Sequence, residues 1–247
     1  MAKNYYIASC IFTSKYPKLS EVIQNYVQEH FNYEIVRCCV PKYKIEFFEN
    51  KMPDDYQNTW ASMPDSGNFT KGDTVYSLCH NCSAIIEETK PGVKLKSLWE
   101  LILSDETFNY PNYGNMSMTV QDCWRSKERR EEQEAVRQLL KKMNINIIEL
   151  EENYDKTDFC GDSLYRPAPV RNIKLAPKRF VDNAEGKFRD CTKEEQIEIM
   201  KDYCKQFQTD RVVAYCHYCI DGLQLGGMDA RHIASLLFEP ERNGGRI

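Results

Sequence analysis

The chain has 247 residues, room for one large domain or for two of about 100 to 130 residues each. Its 33 basic and 37 acidic residues leave a formal charge of −4, which argues against the concentrated basic face of a dedicated nucleic-acid binder. Hydrophobic residues make up 42% of it, yet no apolar run approaches the ~18 to 20 residues of a membrane span. The N-terminus, MAKNYYIASCIF, is too short and too polar for a signal peptide, so a cytoplasmic protein is expected. In a reducing compartment the eleven cysteines are expected as metal ligands or catalytic thiols rather than disulfides. The sequons at Asn68, Asn81 and Asn115 then carry no meaning.

Tyr5 to Ser9 reads as a strand that stops at Cys10. Leu19, Val22, Ile23, Tyr26, Val27 and His30 follow at helical spacing, with His30 read as a packed or boundary residue. Tyr33 to Arg37 is a second strand, ending on Cys38 and Cys39, so that the opening is a βαβ unit with parallel strands. Residues 50–72 carry Pro53, Pro64, Gly67 and many polar groups beside Tyr56, Trp60, Met63 and Phe69; an ordered surface loop and a lid beside the cysteines are both open there. A strand at Thr74 to Leu78 leads into Cys79-His80-Asn81-Cys82 and a helix, and Val93 to Lys96 and a helix from Ser97 follow.

Phe108 to Asn115 is the expected linker, dividing the chain into units 1–110 and 111–247. Met116 to Gln121 is a strand ending near Cys123, Glu128 to Met143 a helix with Val136, Leu139, Leu140 and Met143 inward, and Ile145 to Leu150 another strand. Phe159-Cys160-Gly161 stands where the first half has Cys38-Cys39-Val40. Residues 161–190, with Pro167, Pro169 and Pro177, read as a solvated connector in preference to a partner-binding basic strip. Thr192 with Glu195 is a capping-box start for a helix that buries Ile197, Met200, Cys204 and Phe207; Cys191 lies outside the cap with no evident partner. Asp210 to Leu237 then repeats strand, Cys216-His217-Tyr218-Cys219 turn and helix.

The expected fold class is therefore α/β: two pseudo-symmetric α/β units with short parallel sheets and cysteines at the strand carboxyl ends, where open α/β sheets form their sites. A helix N-terminus behind each C-H-x-C turn favours thiolate, the metal-binding form. Five thiols in the first unit exceed the four of a tetrahedral zinc, whereas a multi-iron cluster can use all five. Neither CxxC is followed by His, which removes c-type haem attachment, and no P-loop or G-x-G-x-x-G occurs.

Cys10, Cys38-Cys39 and Cys79-His80-Asn81-Cys82, repeated in weaker form by QDCWRSKERREEQEAVRQLLKKMNINIIELEEN and FCGDSLY, resemble the cysteine-rich CCG domain found in the B-type subunit of heterodisulfide reductase and its relatives, over nearly the whole chain. That resemblance implies Cys10, Cys38, Cys39, Cys79 and Cys82 as ligands of a non-cubane 4Fe-4S cluster. It implies Cys123, Cys160, Cys216 and Cys219 as ligands at a second site. Val40 replaces the family's glycine after the first pair, and Phe159 replaces the first cysteine of the second pair. The second unit is thus degenerate, with four thiols suited to a cubane 4Fe-4S cluster or a zinc ion.

The function so implied is an iron–sulfur redox subunit, an oxidoreductase acting on a sulfur group. It would take electrons from a flavin- or ferredoxin-type donor protein and reduce a small disulfide or similar acceptor, with no nucleic acid and no membrane span involved. His80 and His217 are the candidate proton donors to a leaving thiolate, against the plainer reading that they cap a helix or face solvent. Two alternatives are an electron-transfer subunit of a hydroxy-acid oxidation system, as found among relatives of that family, and a zinc-stabilised interaction module without redox chemistry.

Overall fold

The computed structural model describes residues 2–37, 47, 49–167 and 173–239, so Cys38, Cys39 and Val40 lie outside the described residues. It is an α/β protein that divides into two compact units, Met1–Leu101 with Lys174–Ala176, and Ile102–Ile173 with Pro177–Ile247. The division falls after Leu101, ahead of residues 108–115. Those residues pack within the second unit: Phe108 meets the Phe238 ring edge-on, and the Tyr113 hydroxyl donates to the Leu236 carbonyl at 2.9 Å.

In the first unit β1 (Asn4–Ala8) is central, flanked by β2 (Glu34–Arg37) and β3 (Thr74–Ser77), with β4 (Lys94–Ser97) outermost, in the order β2-β1-β3-β4 and all parallel. A central strand of a parallel sheet is covered on both faces, which explains the continuous burial of Tyr5, Tyr6, Ile7 and Ala8. The helices are α1 (Cys10–Lys15), α2 (Pro17–Phe31), α3 (Asp54–Ser62), α4 (His80–Thr89) and α5 (Leu98–Ser104), the last running across the division. Asn32, at φ 54°, ends α2 in the left-handed conformation that asparagine tolerates.

The α3 helix departs from the loop expected over residues 50–72. Pro53 precedes it, Asp54 and Asp55 sit in its first turn where carboxylates favour the helix dipole, and Tyr56 and Trp60, four residues apart, supply its buried face.

The second unit repeats the strand order as β6-β5-β7-β8, again parallel, with β5 (Met116–Gln121), β6 (Ile145–Glu149), β7 (Arg211–Ala214) and β8 (Asp229–His232). Its helices are α6 (Arg130–Lys142), α7 (Pro177–Phe180), α8 (Lys193–Cys204), α9 (His217–Leu225) and α10 (Ile233–Phe238). Both bonds of the capping box at Thr192 and Glu195 form at the start of α8. The segment 161–190 is not simply a solvated connector: Leu164, Ala176, Phe180 and Ala184 are buried in it.

In each unit the chain leaves the central strand toward one neighbour and later returns on its other side, so the winding direction reverses between β1 and β3, and between β5 and β7. The connections diverge at that point and leave a crevice at the carboxyl ends of the two strands, the usual place for a site in open parallel sheets. Cys10 and Cys79 follow β1 and β3; Cys123 and Cys216 follow β5 and β7.

Candidate metal centre

Three chain segments bring four cysteines together in the crevice of the second unit. Cys123 opens a 3-10 turn over Trp124–Ser126, Cys160 opens another over Gly161–Ser163, Cys216 is the N-cap of α9, and Cys219 lies in its first turn. Their four Sγ atoms all lie within 4.8 Å of one another, and all four residues are buried. The Sγ atoms of Cys123 and Cys160 are 3.3 Å apart, far beyond the ~2.05 Å of a disulfide.

Local chemistry accounts for this convergence. The Trp124 amide donates to the Phe159 carbonyl at 2.8 Å, tying the first turn to the second. Gly161 has φ 54°, and a Cβ there would lie 1.8 Å from the Tyr218 carbonyl oxygen, so only glycine lets this loop lie directly on α9. Gly222 is the reciprocal contact, since its Cβ would meet the Gly161 Cα at 2.5 Å.

Two residues that precede cysteines lock the strand ends together. Asp122 is wholly buried; Arg137 donates to it from Nη1 at 3.0 Å and Nη2 at 2.8 Å, the Tyr215 hydroxyl at 2.7 Å, and the Tyr154 amide at 2.8 Å. Arg137 also holds Glu149 through Nε and Nη2, at 2.7 and 2.8 Å. Asp122 leads into Cys123 and Tyr215 into Cys216, so one hydrogen-bonded carboxylate fixes the spacing of two of the four cysteines at the ends of β5 and β7. Sequence reasoning missed this network; the only local signal was a charged Arg137 beside the inward-facing Val136.

Arg125, two residues beyond Cys123, is another buried charge at the centre, 2% exposed. Its guanidinium lies 5.0 Å from the Tyr218 ring centroid, 5.4 Å from that of Phe180 and 5.9 Å from that of Trp124. Burial alone would lower its pKa, but the charges of Cys160, Tyr218, Cys123 and Cys216 more than offset this and hold it above the ordinary value.

The thiols of Cys123 and Cys219 are pushed well above their ordinary pKa, first by burial and then by the crowding of their neighbours. Cysteines so placed become thiolates when a cation joins them. Four thiols with one common centre fit that role. Around a single tetrahedral ion with bonds of ~2.3 Å, sulfurs stand ~3.8 Å apart. The observed spacing suits such an ion, whereas a four-iron cubane holds its thiolates farther apart.

In the first unit Cys10 is the first residue of α1, Cys79 the N-cap of α4 and Cys82 in its first turn, all three buried. The Cys79 pKa is lowered to about 6: hydrogen bonding with Cys82 is the largest cause, it outweighs burial, and the His80 charge adds to it. Cys38 and Cys39, which follow β2 directly in sequence, lie outside the described residues. His80 and His217 each begin a helix behind a cysteine and are each only 3% exposed, which removes the solvent-facing reading. Phe159 is a core residue stacked on Tyr203, ring centroids 4.0 Å apart. Cys191 and Cys204 stand outside the four-cysteine group; the Cys204 Sγ is 3.8 Å from the Leu223 carbonyl, and burial pushes its pKa up to about 11.

No family model matches the chain. No curated protein matches it either. Among solved structures it is similar to the glutamate racemase isoform RacE1 from Bacillus anthracis, at 8% identity and a TM-score of 0.34, over 96% of this chain and 79% of that one. That likeness is too distant to carry a fold or a function across. No helix among the described residues is long and apolar enough to cross a membrane.

Proposed function

We propose that this chain is a metal-centred redox subunit, resembling the B-type subunit of heterodisulfide reductase, in which the two units carry unequal centres. The reading is supported above all by the buried group Cys123, Cys160, Cys216 and Cys219 at the winding reversal of its sheet, with Cys10, Cys79 and Cys82 at the equivalent place in the first unit. Cys10, Cys38, Cys39, Cys79 and Cys82 would hold a non-cubane 4Fe-4S cluster, which supplies one-electron redox chemistry when bound. The second centre would hold a single tetrahedral ion, which the spacing of its four Sγ atoms suits. A disulfide acceptor takes two electrons from the donor protein and two protons, its S–S bond breaks, and two thiols result. His80, which follows Cys79 at the start of α4, would hold one of those protons.

Metal and acid-labile sulfide analysis of anaerobically purified protein tests this. Several irons with sulfide per chain, lost in Cys79→Ser, is the expected result. Zinc without sulfide, at about one ion per unit, would overturn the redox assignment and leave the second reading, a zinc-stabilised interaction module, which the close spacing of the four Sγ atoms favours for the second unit taken alone.

A further inference from the structure

We propose that Arg125 is the counter-charge of the four-cysteine centre, coupling its occupancy by a divalent ion to the stability of the second unit. This rests on the reading of Cys123, Cys160, Cys216 and Cys219 as metal ligands. Four thiolates around a divalent ion carry a net charge of minus two, which a core of Trp124, Phe159, Leu164, Met200 and Leu223 solvates poorly. Arg125 brings one positive charge to that place. Its Nε and Nη1 have no hydrogen-bond partner among the described residues, and its guanidinium lies 5.0 Å from the ring of Tyr218, the residue between Cys216 and Cys219 in the second C-H-x-C turn. A buried arginine normally pairs with a carboxylate through its planar fork; the Asp122 carboxylate goes to Arg137 instead.

The two states of the centre therefore differ in sign for Arg125. Beside four neutral thiols the guanidinium is an uncompensated buried charge. Beside a metal-bound tetrathiolate it halves a net dianion. The rings of Trp124, Phe180 and Tyr218 hold it there through their negative faces, which can attract a cation without discharging it. Arg125 is thus a positioning residue that makes the loaded centre the favourable one.

The test uses the full chain, anaerobic and reduced, with zinc(II) alone and then ferrous iron alone as probes, in competition with a chromogenic chelator. Arg125→Met is expected to weaken binding at this centre about 10- to 100-fold, the usual effect of an outer-shell change, while Arg125→Lys, which keeps the charge, retains most of the affinity. Cys160→Ser identifies the ion that is being counted, because that ion should disappear. The metal-free Arg125→Met protein is further expected to be at least as stable to urea as the metal-free wild type, which loss of packing would not produce. Equal affinity in wild type and Arg125→Met, or equal destabilisation of loaded and metal-free forms, would overturn the proposal while leaving the metal centre standing. Failure of the wild type to take up either ion in a Cys160-dependent way would overturn both. If Arg125→Met does not fold, Arg125→Gln carries the same expectation and the same contrary result.

Discussion

Asp122 accepts hydrogen bonds from Arg137 twice, from the Tyr215 hydroxyl and from the Tyr154 amide, and it is wholly buried. Replacing it with alanine strands the inner edge of the Arg137 guanidinium. Removing one partner of a buried ion pair costs ~3 to 5 kcal/mol, and the lower end applies because Arg137 keeps Glu149 at 2.7 and 2.8 Å. For a domain of this size the apparent melting point should fall by roughly 10 °C. Tyr215→Phe removes one hydrogen bond to a charged acceptor, ~1.5 to 3 kcal/mol, reduced because the same hydroxyl also meets the Ser126 hydroxyl at 3.0 Å. The double variant should cost less than the sum, since the tyrosine bond no longer exists once Asp122 is gone. Urea denaturation of the four proteins in one metal state measures all three terms. A cost under ~1 kcal/mol for Asp122→Ala, or strict additivity, would refute the view that this carboxylate locks the ends of β5 and β7.

Gly222→Ala should be destabilising by ~1 to 3 kcal/mol, because its Cβ would lie 2.5 Å from the Gly161 Cα with backbone on both sides; equilibrium unfolding checks it, and metal content should fall as Cys160 is displaced. Thr192→Ala breaks the capping box of α8 and should cost ~1 kcal/mol in the same assay. Cys204→Ser should leave metal content unchanged, whereas Cys219→Ser should remove the ion of the second unit, both by elemental analysis of folded protein. The Asp73 carboxyl is held below its ordinary pKa, first by the Lys3 amide and then, against burial, by Thr70. Its contribution to stability is present above the unfolded value of about 3.9 and is lost as pH falls through the lower folded one. Asp73→Asn should therefore flatten the acid limb of a stability profile below about pH 4; an unchanged limb would remove Asp73 as its cause.

The strands β1 and β7 and the cysteines beyond them were legible because burial on both faces writes short apolar runs, NYYIA and RVVA, whereas β8, DARH, carries no such run and was not legible as a strand. The start of α8 was legible because a capping box is a local device whose two partners lie three residues apart. The α3 helix was not, since Tyr56 and Trp60 are its only buried residues and two positions cannot establish a period. Asp122, Arg137, Glu149 and Tyr215 were illegible for a different reason. Each reads as an ordinary surface or strand residue, and only the parallel pairing of β5 with β6 and β7 brings them to one place. Arg125 was concealed by the charged run RSKERR, where a solvated face is the natural expectation.

The two C-H-x-C turns occupy the same place in the same strand order, yet their thiols are driven in opposite directions. Cys79, at the N-cap of α4, is lowered to about 6, with Cys82 and His80 both favouring the thiolate. Cys219, in the first turn of α9, is held well above its ordinary value by burial and by crowding from Cys123, Cys160 and Cys216. Cys79 is a helix cap and Cys219 lies inside the first turn, so helix position and surroundings both enter the difference. A thiolate maintained near neutral pH by its own neighbours is suited to nucleophilic or redox turnover. Thiols that ionise only with a cation to join them are suited to holding one ion permanently. The proposed reading assigns chemistry to the first unit and structural support to the second, where Phe159 is stacked into the core.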